Sequence, residues 1–281
     1  MTDAPVLLPP IAVLGLGSMG GAILTGLLAP GVHVEGGVRV TNREASKAAL
    51  WHDHPVVTAF ATADDPEANR RAVEGASVVL VAVKPHMVPD VLDEIAEALA
   101  PGTVVVSVAA GVTVETFERH LPESVAVLRS MPNTPAVVGR AVTGLSAGTR
   151  SSADDLDLVR RLFRTVGEVV EVPESQLDAL STISGSGPAY VFLLIEQLTR
   201  AAIDKGFTPE QAATMVNGTF LGAAELLVDS GEDPAELRRR VTSPNGTTER
   251  AIAVLQEADL ASLFTRATDA ALARARELAA S

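Results

Sequence analysis

Gly15-Leu16-Gly17-Ser18-Met19-Gly20 follows the short apolar run Ile11–Leu14 and opens an apolar helical pattern. Glycines at this spacing, between a strand and a helix, place a dinucleotide pyrophosphate on a helix N-terminus. The first makes the tight turn, the second lets the phosphates approach the backbone, and the third packs helix against strand. The spacing alone is a weak signal, and the two flanks strengthen it. The next apolar run, Gly37–Thr41, ends in Asn42-Arg43. A carboxylate there would bond a ribose 2′-hydroxyl, whereas an Arg suits a 2′-phosphate. Glu35 lies nearer the usual sequence distance but precedes the strand. These residues point to NADP(H).

In doubly wound sheets ligands bind beyond the carboxyl ends of the strands, so the residue groups at those positions are candidates. Ala82-Val83-Lys84-Pro85-His86 is one. Lys84 is expected beside the nicotinamide ribose; His86 is either a proton donor or, more simply, a surface or cap residue. Ser107-Val108-Ala109-Ala110-Gly111 is small enough to admit a flat nicotinamide ring, or simply packs helix on sheet. In Ser130–Pro135 two prolines bracket Asn133 and Thr134, a stiff loop that positions a ligand or joins two domains. Two further groups, Ser184–Tyr190 and Ser243–Thr248, read as small-residue helix starts, with Pro188 opening the first. Free amides with Ser and Thr hydroxyls there form a carboxylate or phosphate site, or ordinary caps. Spacings for a metal site, a nucleophile elbow or a P-loop are missing, which argues against metal and acyl-transfer chemistry.

The elements that must position these groups alternate through the first part of the chain. Strands are predicted at Ile11–Leu14, Val38–Thr41, Val56–Ala59, Val78–Val83, Thr103–Val108 and Val125–Met131. Helical patterns lie near 19–29, 44–52, 66–74, 87–99 and 113–120. Ala141–Ala147 and Glu168–Val172 flank a helix at Asp154–Thr165 and extend the sheet edge. Such alternation implies βαβ units and a parallel sheet covered on both faces. The expected class is α/β, a doubly wound Rossmann domain at 1–172 followed by an all-α domain at 173–281.

Helices are expected at 188–205, at 209–228 and over Glu249–Glu257. Thr208-Pro209-Glu210-Gln211 is a capping box with Pro at the first helical position, preceded by Gly206 as a stop. The helix at 209–228 is apolar or small nearly all the way round, from Ala212, Met215 and Val216 to Leu226 and Leu227. Such a helix must be buried, either in a subunit interface, most simply a two-fold dimer, or in the monomer's own bundle.

Composition narrows the partners. A net charge of −13 disfavours nucleic acid and anionic membranes. An acidic chain that binds an anionic cofactor must gather positive potential locally, which draws attention to Arg43, Lys47 and Lys84. With no Cys there is no disulfide, in keeping with a cytoplasmic protein. Met1–Pro10 lacks the basic and long apolar segments of a signal peptide, and no run reaches membrane-spanning length.

Taken in order, Gly15–Gly20, Ala82–Pro85, Ala109–Thr113, Met131–Pro135, Ser184–Tyr190 and Ser243–Thr248 resemble the pyrroline-5-carboxylate reductases over about residues 11–278. The last two motifs are far more specific than the glycine loop. The resemblance implies NAD(P)H-dependent reduction of the ring C=N bond of 1-pyrroline-5-carboxylate, giving L-proline. It implies NADPH as the preferred donor with NADH as the alternative. It also implies a homodimer interlaced through its helical domains, often built into a decamer of five dimers, with each active site completed by a partner subunit.

By position, the resemblance assigns the pyrophosphate to Gly15, Leu16, Gly17, Ser18, Met19 and Gly20, and the ribose contacts to Asn42 and Asn69, beside the 2′-phosphate reading of Arg43. The nicotinamide side falls to Ala82, Val83, Lys84 and Pro85 with Val108, Ala109 and Ala110. Substrate would meet Ser243, Gly246, Thr247, Thr248 and Ala110, with the Thr248 hydroxyl facing the ring nitrogen and Ser243 beside the carboxylate. Two departures stand out. Glu44 takes the place of a Ser or Thr common after the Asn-Arg pair, and Asn245 replaces a Gly common in its loop. Asn tolerates the left-handed backbone that a Gly would supply.

A β-hydroxyacid dehydrogenase also pairs a Rossmann domain with a helical one. It needs a Lys with an Asn one turn earlier on the first interdomain helix, where this chain has Lys205 and Ala201. A non-catalytic NADP(H)-binding regulator that dimerises through its helices is the alternative of another class. An intact Ser243–Thr248 group, which a sensor has little need of, argues against it.

Overall fold

A computed structural model describes residues 5–280. Residues Met1–Ala4, the first part of the segment read for a leader, lie outside the described residues. The described chain forms two compact units, one running to Ser186 with the residues from Leu272 onward, the other Gly187–Ala271.

The first unit is built on an eight-stranded sheet. Its strands are β2 (Ile11–Leu14), β4 (Val38–Asn42), β5 (Val57–Ala61), β6 (Val78–Val81), β7 (Val104–Ser107), β8 (Ala126–Met131), β9 (Ala141–Ala147) and β10 (Gly167–Glu171), in spatial order β10-β9-β8-β7-β6-β2-β4-β5. Around it lie α1 (Ser18–Leu27), α2 (Ala45–Ala49), α3 (Ala68–Val73), α4 (Val88–Ile95), α5 (Val114–His120) and α6 (Ala153–Phe163). Every residue of β2 and β6 is buried, as expected of central strands covered on both faces. Alternate strand residues feed two separate cores. Val13, Leu80 and Val106 join Ile23, Leu24 and Phe163 on one face, while Leu14, Val79 and Val105 join Leu92, Ile95 and Phe117 on the other. Helix α6 starts at a capping box between Ser152 and Asp155.

Two features depart from the expected parallel sheet. β8 and β9 pair antiparallel, joined by a loop whose Thr134–Val138 segment is a 3₁₀ turn ending in left-handed Gly139. β9 and β10 then run parallel to each other, so these two strands at one end of the sheet oppose the other six. Outside the main sheet, β1 (Val6–Leu8) pairs in parallel with β3 (Val32–Val34). Arg161 donates to the Leu7 carbonyl at 3.0 Å, tying β1 to α6. Helix α7 (Glu174–Leu180) closes this unit and packs on β9, followed by a π-turn at Ser181–Gly185.

The second unit is helical: α8 (Gly187–Asp204), α9 (Pro209–Ser230), α10 (Pro234–Arg240), α11 (Thr247–Gln256) and the start of α12 (Leu260–Ala280). α8 and α9 pack together. The Thr208–Gln211 capping box and the left-handed Gly206 stop stand where the sequence put them. Within one chain the apolar faces stay uncovered. Of the 22 residues of α9 only Ala212 and Val216 are buried, and Leu221 and Val228 are 62% and 80% exposed. On α8 no residue is buried, and Phe192 and Leu193 stand exposed. Burial in the monomer's own bundle is therefore excluded for this face, and a surface this apolar marks a protein interface. Among the described residues no helix is long and apolar enough to cross a membrane.

Candidate active site

The glycine loop has the geometry its residues suggest. Gly15 sits at φ 95°, a left-handed backbone that few other residues adopt. Its N–H reaches the Thr41 carbonyl and hydroxyl, each at 3.2 Å, so the turn hangs on the end of β4. A Cβ at Gly17 would meet nothing within 4 Å, whereas one at Gly20 would overlap the Gly15 carbonyl oxygen. The first helical bond of α1 runs from the Gly21 N–H to the Gly17 carbonyl at 2.9 Å, and no side chain caps the helix. The amides of Ser18, Met19 and Gly20 precede that bond. Open space in front of an uncapped helix N-terminus fits a pyrophosphate.

Asn42 and Asn69 are largely buried and bonded within the protein. Asn42 donates to the Leu16 carbonyl at 2.9 Å and accepts from the Glu44 N–H at 2.9 Å. It therefore staples the glycine loop to the residues after β4. Asn69 donates to Glu94 at 2.9 Å. Arg43, the residue after Asn42, is exposed. Glu44 pairs with Lys47 at 2.8 Å, and the hydrogen bond and charge of that ammonium hold its carboxyl below the usual range.

On the side expected to meet the nicotinamide, β6 ends at Val81, and Ala82 and Val83 leave the sheet toward exposed Lys84 and Pro85. His86 is exposed in a 3₁₀ turn, which agrees with a surface residue. After β7, Val108 donates to the Val81 carbonyl at 3.0 Å, Ala109 is buried and Ala110 is exposed. Asn133 joins three segments rather than standing free: it donates to the Ser184 carbonyl at 2.8 Å and accepts from the Val142 N–H at 2.9 Å.

In the helical unit, the Ser243–Thr248 group forms a tight turn leading into α11. Asn245 adopts φ 59°, the left-handed backbone anticipated for it. Its N–H is held by the Glu249 carboxylate at 2.8 Å. The Gly246 N–H is committed to the Ser243 carbonyl at 3.0 Å. The first helical bond, from the Arg250 N–H to the Gly246 carbonyl, comes only at 3.4 Å. No side chain caps this helix. Of the three amides expected to hold a carboxylate, those of Thr247 and Thr248 therefore have no internal partner among the described residues. Ser243, Thr247 and Thr248 are all exposed. No group of three or more acidic, His or Cys residues that could hold a metal ion occurs among the described residues.

Residues 174–278 match the family model described as pyrroline-5-carboxylate reductase dimerisation, and 10–111 match the one described as NADP oxidoreductase, coenzyme F420-dependent. The curated pyrroline-5-carboxylate reductase of Pseudomonas aeruginosa is 39% identical, over 96% of this chain and 97% of its own. That of Corynebacterium melassecola is 37% identical, over 95% and 98%. The chain belongs to the pyrroline-5-carboxylate reductase family. It is accordingly an NAD(P)-dependent oxidoreductase that carries the family's dimerisation region. A solved pyrroline-5-carboxylate reductase from Coxiella burnetii superposes with a TM-score of 0.88 at 38% identity, covering 95% of this chain and 97% of that one. A Plasmodium falciparum relative solved with NADP bound shares the fold at a TM-score of 0.80 and 22% identity, covering 99% of both chains.

The residue signals were legible for the glycine loop and for the turn before α11. Missed was the internal bonding: Asn42 braces the glycine loop, the Gly246 amide is spent within its own turn, and Asn133 ties together three segments elsewhere in the first unit.

Proposed function

We propose that this chain reduces 1-pyrroline-5-carboxylate to L-proline with NADPH as the preferred donor, and that the turn before α11 holds the substrate. The observation that carries it is the pair of unpartnered amides, Thr247 and Thr248, at an uncapped helix start flanked by Ser243. A carboxylate is stabilised there by the amides and the helix dipole. The cofactor, once bound, supplies a hydride from nicotinamide C4 to the ring imine carbon, while the nitrogen retains or gains one proton. The Thr248 hydroxyl orients that nitrogen and its proton. A substrate that arrives as the iminium needs no strong acid from the protein. Rate then comes mainly from holding the ring carbon about 3–3.5 Å from the hydride.

Arg43 supports the 2′-phosphate assignment. It is the exposed cation at the end of β4, and the neighbouring acid, Glu44, is already paired with Lys47. Two arginine N–H groups can grip one phosphate. A dimer closed over the exposed faces of α8 and α9 would bury the leucines and phenylalanines there, and a decamer of such dimers is the larger assembly we favour. A cytoplasmic setting suits a chain without cysteine.

The test is oxidation of NADPH with and without added 1-pyrroline-5-carboxylate, repeated with NADH and with Arg43→Asp. Wild-type protein should oxidise NADPH only with substrate, and the variant should shift kcat/KM toward NADH by about tenfold or more, the scale of one lost charge-assisted contact. Oxidation indifferent to substrate sinks the reaction; an unchanged cofactor ratio in the variant sinks the phosphate assignment.

A further inference from the structure

Strand β8 carries an arginine in an otherwise apolar and small-residue run, and that arginine is buried, its side chain only 6% exposed. Arg129 donates through Nη2 to Asp178 at 2.7 Å and through Nη1 to Glu174 at 3.3 Å, both on α7. Glu174 uses the same oxygen, Oε1, to accept the Val114 N–H at 2.8 Å, the first amide of α5. Val114 ends the loop that begins at Val108. The start of that loop is pinned from the same strand: Ser130 donates to the Ser107 carbonyl at 2.7 Å. Two consecutive residues of β8 thus fix both ends of the 108–113 segment. Between its ends the segment holds small Ala109 and Ala110 and left-handed Gly111, with little bulk of its own to hold a shape.

Arg129 is buried while Glu174 and Asp178 stay partly exposed. Such a pair adds little net stability over apolar packing of equal volume, so its presence here calls for a geometric role. We propose that Arg129 and Glu174 are positioning residues for hydride transfer, acting through the Val108–Ala110 loop that lies against the nicotinamide. The inference rests on that loop assignment. Loosening the Val114 anchor would let the loop drift, and a shift of about 1 Å at the reacting atoms costs roughly a hundredfold in rate.

The experiment uses the full-length protein and measures kcat, KM for NADPH, Tm and the primary isotope effect with NADPH deuterated at C4. Glu174→Ala leaves Arg129 its Asp178 partner. It should lower kcat about tenfold or more and raise the isotope effect, because the chemical step becomes slower. Glu174→Gln keeps an oxygen for the Val114 N–H and should recover most of that loss. Glu115→Ala removes a carboxylate from the same helix turn without touching Val114, and should behave as wild type. The clamp is overturned if Glu174→Ala has wild-type kcat and isotope effect per folded molecule, or if Glu115→Ala loses as much. Ala110→Leu separates the two ideas. A wild-type KM for NADPH in that variant removes the loop assignment and the clamp with it. A raised KM there, beside wild-type kinetics in Glu174→Ala, removes the clamp alone.

Discussion

Gly20→Val should weaken NADPH binding more than any other single change in the glycine loop. A Cβ at this position would overlap the Gly15 carbonyl oxygen, and the branched side chain adds bulk toward Ala82, whose Cβ lies 3.4 Å from that point. The overlap is backbone against side chain, so no rotamer relieves it. Either α1 moves away from the end of β6 or the Gly15 turn opens, and each displaces the amides of Ser18 and Met19 that we propose face the phosphates. Overpacking of this kind costs about 1–3 kcal/mol. Taken wholly from cofactor affinity, that is roughly a 5- to 150-fold rise in Kd. Titration of NADPH by protein fluorescence or calorimetry measures it. Gly17→Ala is the internal contrast, since a Cβ there meets nothing in the protein and can interfere only with the phosphates themselves. If Gly20→Val bound NADPH as tightly as wild type, the loop would not be the pyrophosphate site.

Thr248→Ala should leave NADPH affinity intact and lower turnover. The hydroxyl it removes stands at the second residue of α11, exposed, beside the amides assigned to the substrate carboxylate. A hydrogen bond to a charged group is worth about 1.5–3 kcal/mol. Lost from the transition state alone, that is roughly a 10- to 150-fold fall in kcat. The backbone amide of residue 248 survives the substitution, so the carboxylate keeps its anchor and KM for the imine should change less than kcat. Steady-state kinetics at saturating NADPH separates the two. Wild-type kcat in the variant would remove Thr248 from the chemistry, and a rise in KM alone would make it a binding residue.

The alternation of strands and helices was readable because β2, β6 and β7 are buried on both faces and appear as apolar runs set off by Gly and Pro. The reversed direction of β9 went unread, although the loop from Pro132 to Arg140 is too short for the crossover that a parallel neighbour needs. β1 escaped because three apolar residues before Pro9-Pro10 are too few to declare a strand, and the β3 it pairs with is equally short. The helix starts were plain from Pro209, Thr208 and the Ser243–Thr248 turn, since caps are local chemistry. The braces were not. Arg129 drew no reading. Its acidic partners lie 45 and 49 residues away, and only the fold brings them together. The same holds for Asn133, which reaches a carbonyl 51 residues on. The uncovered helices of the second unit show the converse. Their apolar periphery was visible in the residues, and the structure of one chain leaves it unburied, as a chain that dimerises requires.

The claim at the centre is that hydride passes from a nicotinamide held by the Gly15–Gly20 loop to the ring carbon of an imino acid held before α11. The most direct measurement gives the protein NADPH deuterated at C4 on one face, then the other, with 1-pyrroline-5-carboxylate, and examines the proline by mass spectrometry and NMR. One of the two cofactors should deliver a single deuterium to the ring carbon next to nitrogen, and the other none. Proline without deuterium from both, or no proline at all, would contradict the account.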